Sequence, residues 1–132
     1  MMTKMITLEV QTQMPKNKNS TRYFSDLQEK DVCEKLNATQ QPASGSGHFR
    51  KGDAINYLAS LLIECKTHTN AKNSFSIKKD WLDKNKEEAF TQRVFNGCIA
   101  FNFEPGKPNY FVIDEKLMKF LVEKLEEEYK NC

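Results

Sequence analysis

Two histidines and four cysteines are all the imidazole and thiol ligands that these 132 residues carry. Cys33, Cys65, Cys98 and Cys132 stand 32, 33 and 34 residues apart, with no CxxC pair. His48 and His68 supply no close pair either, which excludes a zinc site of ordinary spacing and leaves free thiols as the expectation. No window approaches 18 apolar residues, so no membrane-spanning helix is expected. An N-terminal apolar run followed by a small-residue cleavage site is missing, so no secretory signal is expected and a cytoplasmic location is the default. Internal repeats and long low-complexity tracts are missing as well, which excludes solenoids and arrays.

What is present suits one domain around one core. The hydrophobic fraction is 39%, and nine Phe and one Trp add bulk. The net charge of +2 is unevenly spread. Residues 1–51 carry eight Lys/Arg against five Asp/Glu, and residues 66–93 carry seven against four. Residues 114–132 reverse the balance, four against six. A basic body with an acidic tail is compatible with a polyanionic partner. Residues 1–20 are polar and read as a flexible N-terminal extension, although Ile6–Val10 alternates like an edge strand. Residues 21–132 read as the single folded domain.

The periodicities give an element order. A helix is expected over 25–36, capped by Ser25 or Asp26, with Val32, Cys33 and Leu36 on its apolar stripe. Glu29 lies on that stripe one turn earlier. An acid on an inward face is costly unless it is paired or binds a cation. A short strand over 37–42 leads into the flexible loop Ser44-Gly45-Ser46-Gly47. Strands are expected over 54–59 and 61–66, the second opening on the continuous apolar run Leu61-Leu62-Ile63 of a covered strand. A helix follows over 79–93, with Trp81, Leu82, Ala89 and Phe90 as core contacts. Strands over 98–103 and 109–113 flank the Pro105-Gly106 turn. Asp114 caps a last helix with Leu117, Phe120, Leu121 and Leu125 on its apolar positions. The class is α/β, an α-β-β-β-α-β core with an extra strand and a C-terminal helix around one mixed sheet.

The chemistry is concentrated between Asp53 and Lys66. Side chains alternate along a strand, so Glu64 and Lys66 project from one face, with Leu62 ahead of them. Two strands running back from a turn bring Asp53 beside Glu64. Two carboxylates and an ammonium at one sheet edge suit metal-assisted phosphodiester hydrolysis. Mg²⁺ takes oxygen ligands, typically one or two carboxylates with water and phosphate oxygens, and lowers the pKa of a bound water. Lys66 would orient or deprotonate that water, or offset charge on the phosphate.

This arrangement resembles the PD-(D/E)xK nuclease superfamily, most closely the Holliday-junction resolvases of archaea and phages. The likeness rests on Glu29, on Pro42-Ala43-Ser44-Gly45-Ser46-Gly47, on Lys51-Gly52-Asp53 and on Ile63-Glu64-Cys65-Lys66, and covers roughly residues 25–113. It implies a restriction-endonuclease-like fold. Asp53, Glu64 and Glu29 would be Mg²⁺ ligands, Mn²⁺ being able to substitute, and Lys66 the catalytic lysine. Ser44 or Ser46 would touch the scissile-strand phosphate. A homodimer would nick two opposed strands of a four-way junction. Gly52 departs from the family pattern, which often has Pro or another apolar residue before the aspartate. Residues 1–20 and the last helix have no clear counterpart in the smallest resolvases.

Simpler readings stand beside these. Glu-x-Lys alone is an ordinary solvated strand face, and Glu29 alone is satisfied by a lysine. Ser44 and Ser46 also suit a plain linker. Arg50, Lys51, Lys78 and Lys79 are candidates for phosphate contacts, although solvated lysines are the default. Trp81 reads as core rather than as a stacking platform. Rival functions are a nuclease of the same superfamily acting on flap, single-stranded or duplex DNA, and a non-catalytic DNA-binding module on the same scaffold.

Overall fold

The computed structural model describes residues 21–41 and 54–130. The expectations for residues 1–20, for Ser44, Ser46, Arg50, Lys51 and Asp53, and for Cys132 lie outside the described residues.

The first helix, α1 (Thr21–Lys35), begins four residues before the expected cap at Ser25. It ends at Asn37, whose φ of 53° is a conformation Asn tolerates better than most residues. The Ala38 amide then donates to the Cys33 carbonyl, closing the last turn as in a Schellman motif. Strands β1 (Thr39–Gln40), β2 (Ala54–Asn56) and β3 (Leu61–Lys66) follow. The expected strand 54–59 stops at Asn56. Residues 57–60 form a tight turn in which the Asn56 side chain accepts the Ala59 amide at 2.9 Å and Ser60 adopts a φ of 56°. The three expected strand residues that follow Asn56, namely Tyr57, Leu58 and Ala59, belong to that turn, where Tyr57 and Leu58 are exposed.

Helix α2 (Lys79–Thr91) ends in a full Schellman motif around Arg93 at φ 64°, with Val94 donating to Ala89 and Arg93 to Phe90. Strand β4 (Asn96–Phe101) begins two residues earlier than expected. Gly97 lies inside it because a Cβ there would run into the Asn85 side chain of α2. A turn at Pro105-Gly106, with Gly106 at φ 85°, leads to β5 (Tyr110–Val112). Asp114 caps α3 (Glu115–Lys130), its Oδ1 accepting the Leu117 amide at 2.9 Å.

The result is a small α/β domain with a five-stranded mixed sheet in the order β1-β2-β3-β4-β5. Only β3 and β4 are parallel, joined through α2 as a βαβ crossover. Their neighbours Leu62 and Ile63 point to opposite faces. Ile63 packs with Val32 of α1, Ala54, Cys98 and Ala100. Leu62 packs with Ile55, Val94 and Ala89 of α2. Helices α1 and α2 therefore cover opposite faces of the sheet.

Two helical expectations fail on exposure. Phe90, expected in the core, is 85% exposed; Ala89 takes the inward position. No residue of α3 is buried, and only Leu117 of its expected core set is even half-buried. Among the described residues Cys33, Cys65 and Cys98 form no disulfide, and burial pushes the Cys98 thiol up to about 12. Among the described residues no helix is long and apolar enough to cross a membrane.

Candidate active site

The site lies at the C-terminal end of β3, beside its parallel neighbour β4. Strand ends of this kind, outside the edge of a parallel pair, are where open α/β sheets place ligands. Alternation puts Leu62, Glu64 and Lys66 on the α2 face. Leu62 is sealed into the core, and the two charged residues follow it outwards as cover thins. Lys66 Nζ stands 3.7 Å from Glu64 Oε2, and both side chains are a little over a quarter exposed. The same ammonium lies 4.5 Å above the Trp81 ring of α2, a cation–π distance. Trp81 is thus the floor under Lys66 and only partly buried, instead of the core residue expected.

Glu29 stands on α1, on the other helical layer. It is 4% exposed, as its place on the apolar stripe requires, and Gln40 of β1 donates to its Oε1 at 2.8 Å. Its charge is felt by Glu64. Burial raises the Glu64 carboxyl above its ordinary value, Lys66 opposes that rise by attraction and hydrogen bonding, and the Glu29 and Glu88 carboxylates add to it. The two like charges and the loss of water outweigh the neighbouring ammonium. A region with this imbalance favours a bound cation or proton.

Glu64, Lys66 and Trp81, with Lys84, Asn85, Glu87 and Glu88 of α2, line a cavity of about 300 Å³. Sequence reasoning missed Glu88. It lies seven residues after Trp81 and three after Asn85, so the inward stripe of α2 itself carried the signal. Gln28 was missed too. Its amide donates to the carbonyl of Lys66 at 2.9 Å, to Ala100 O at 3.3 Å and to Asn109 Oδ1 at 2.9 Å. Asn109 in turn donates to Asp31 at 3.1 Å. One buried glutamine thus ties α1 to the ends of β3 and β4 at the backbone of Lys66.

The other candidates divide. Lys78 Nζ is 5.8 Å from the Trp81 ring, at the rim of the site. Lys79 pairs with Asp83 at 2.9 Å on the exposed side of α2. Asp53 lies outside the described residues, but Ala54, which follows it, is paired with Ile63, which precedes Glu64. Among the described residues no three Asp, Glu, His or Cys side chains form a group able to hold a metal ion. The carboxylates that are present are hard oxygen donors, the type Mg²⁺ takes, and their repulsion of one another at Glu64 fits a divalent cation.

No family model, no curated protein and no solved structure matches the chain.

Proposed function

We propose that the chain is a metal-dependent endonuclease of the PD-(D/E)xK type, with a restriction-endonuclease-like core and branched DNA, in particular a four-way junction, as its substrate. The observation that carries the reading is the half-buried Glu64–Lys66 pair at the end of β3, held over Trp81 and under the field of the buried Glu29. A structural ion pair needs neither the second carboxylate nor the cavity beside it.

Asp53 and Glu64 would hold Mg²⁺ with Glu29 behind them, and the cation when bound would supply an activated water and charge neutralisation at the phosphate. Glu64 offers a carboxylate that burial and its neighbours make eager for positive charge. Lys66 Nζ, steered by Trp81 and fixed at its backbone by Gln28, orients the attacking water or offsets charge on the phosphate. Lys78 at the rim, with Arg50 and Lys51, contacts neighbouring phosphates, and Ser44 or Ser46 the scissile one. Contacts of this kind position a duplex without reading its bases.

The test is incubation of the full chain with a labelled four-way junction and with matched duplex, flap and single-stranded DNA, with and without Mg²⁺ or Mn²⁺. Paired symmetric nicks in the junction are expected, lost without metal and in Glu64→Gln, and slowed about 10²–10⁴-fold in Lys66→Ala. Preferential cutting of another DNA form would keep the site and replace the substrate. Tight junction binding with no cutting under either metal would overturn the enzymatic reading in favour of a binding module.

A further inference from the structure

We propose that α3 pairs antiparallel with α3 of a second copy of the chain, forming a two-fold contact. The inference draws nothing from the active site. Met118, Leu121, Val122, Leu125 and Tyr129 recur at i, i+3, i+4, i+7 and i+11, one continuous stripe on a helix. All five are between 40% and 70% exposed. The stripe continues at Met118 into an apolar groove of about 860 Å³ walled by Tyr110 and Phe111 of the edge strand β5. A stripe this long, with no buried residue on its helix, is the kind of patch that marks an interaction surface.

The charges on α3 say which partner fits. Lys116 and Lys119 stand towards the N-terminal end, and Glu126, Glu127 and Glu128 towards the C-terminal end. A lone helix favours the reverse, acids at its start and bases at its end; only Glu115 and Lys130 obey that rule. A second α3 laid antiparallel brings each basic end to an acidic end. The geometry agrees in register. Lys119 and Glu126 are seven residues apart on one flank of the stripe, and Glu115 and Lys130 lie on that same flank. Both pairs share one midpoint, between Val122 and Glu123. A two-fold axis through that point sets Lys119 against the partner's Glu126 and Glu115 against the partner's Lys130. Leu121, Val122 and Leu125 then cover their counterparts across the axis. A parallel pairing would instead set this flank against the opposite flank of the partner, so Lys119 would not meet the partner's Glu126.

Sedimentation velocity on the full chain tests this. A dimer is expected, and Leu121→Glu with Leu125→Glu should leave a monomer whose circular dichroism is unchanged, since neither residue supports the fold. Lys119→Glu and Glu126→Lys should each weaken the dimer roughly tenfold, because the symmetry makes either change strike twice. The double variant Lys119→Glu/Glu126→Lys should regain the original affinity, which a parallel pairing does not allow. A wild-type monomer overturns the proposal, and if its stripe becomes accessible to a hydrophobic dye only when residues 1–20 are deleted, the occupant is that segment. A dimer indifferent to the leucine changes also overturns it, since another surface then makes the contact. A monomer that still cuts DNA would sink the pairing and leave the nuclease reading standing.

Discussion

Replacing Glu64 by Gln should stabilise the protein near neutral pH while removing its function. The side chain is a little over a quarter exposed, and Lys66 stands 3.7 Å from it. At an effective dielectric of about 20 that attraction is worth about 4 kcal/mol before screening. Burying a carboxylate costs several kcal/mol, and Glu29 and Glu88 add repulsion. The carboxyl is raised, so the costs win. A net gain of about 1 kcal/mol for the neutral isostere is the scale seen when a strained functional group is relieved. In a domain of this size that raises Tm by about 4 °C. The pH dependence fixes the sign. A carboxyl whose folded pKa is raised adds most to stability below its ordinary value of 4.5, and that contribution is lost as pH rises through the folded value. The advantage of Gln should therefore be near zero below pH 4.5 and reach its plateau once the pH passes the raised value. Urea unfolding of both proteins across that range, with chelator present, measures it. A Gln variant less stable than wild type near neutrality, or an advantage independent of pH, would refute the reasoning. A second arm adds Mg²⁺. At 100 times its Kd the ion should stabilise wild type by about 2.7 kcal/mol and the variant by much less.

Gly97→Ala should destabilise by about 1–3 kcal/mol, because its methyl would occupy the space of the buried Asn85 side chain. Adding Asn85→Ala to it should recover part of the loss in a thermal melt, and strict additivity would count against the clash. Gln28→Ala leaves the carbonyls of Lys66 and Ala100 without their buried donor, at a cost of about 1–3 kcal/mol. It should also lower DNA cleavage beyond what the stability loss explains, measured well below the melting temperature; unchanged turnover would deny Gln28 its positioning role. Conversely, Arg93→Gly relieves a non-glycine residue at φ 64° and should stabilise by about 1 kcal/mol, read as a rise in Tm.

The order of elements was legible because each carries a local signature. Leu61-Leu62-Ile63 reads as a covered strand, and it is sandwiched between α1 and α2. Asp114 reads as a cap and accepts the expected amide. The same-face placement of Glu64 and Lys66 follows from strand alternation alone. Periodicity names a face without saying what lies against it. Hence the apolar stripe of α3 reads as core although nothing in the described chain buries it, and Phe90, next to the inward Ala89 on α2, points outwards. Trp81 reads as core because bulk suggests burial, whereas its ring lies under the Lys66 ammonium. The Gln28 network joins residues up to 81 positions apart, so no local pattern announces it.

The core is unevenly distributed along the chain, and that has a dynamic consequence. Of the ten buried apolar residues among the described ones, seven lie between Leu61 and Phe101, within the β3-α2-β4 unit. Helix α1 contributes a single one, Val32, and is otherwise moored by polar groups such as Gln28 and Glu29. Native-state hydrogen exchange should therefore find two tiers of protection, the amides of β3 and β4 opening only with global unfolding and those of α1 opening earlier. Because α1 carries Glu29, each such excursion removes one of the charges acting on Glu64 and frees the Lys66 carbonyl. A helix of the less protected tier thus completes the electrostatics of the site, so any ligand drawing Glu29 and Glu64 together would slow exchange in α1.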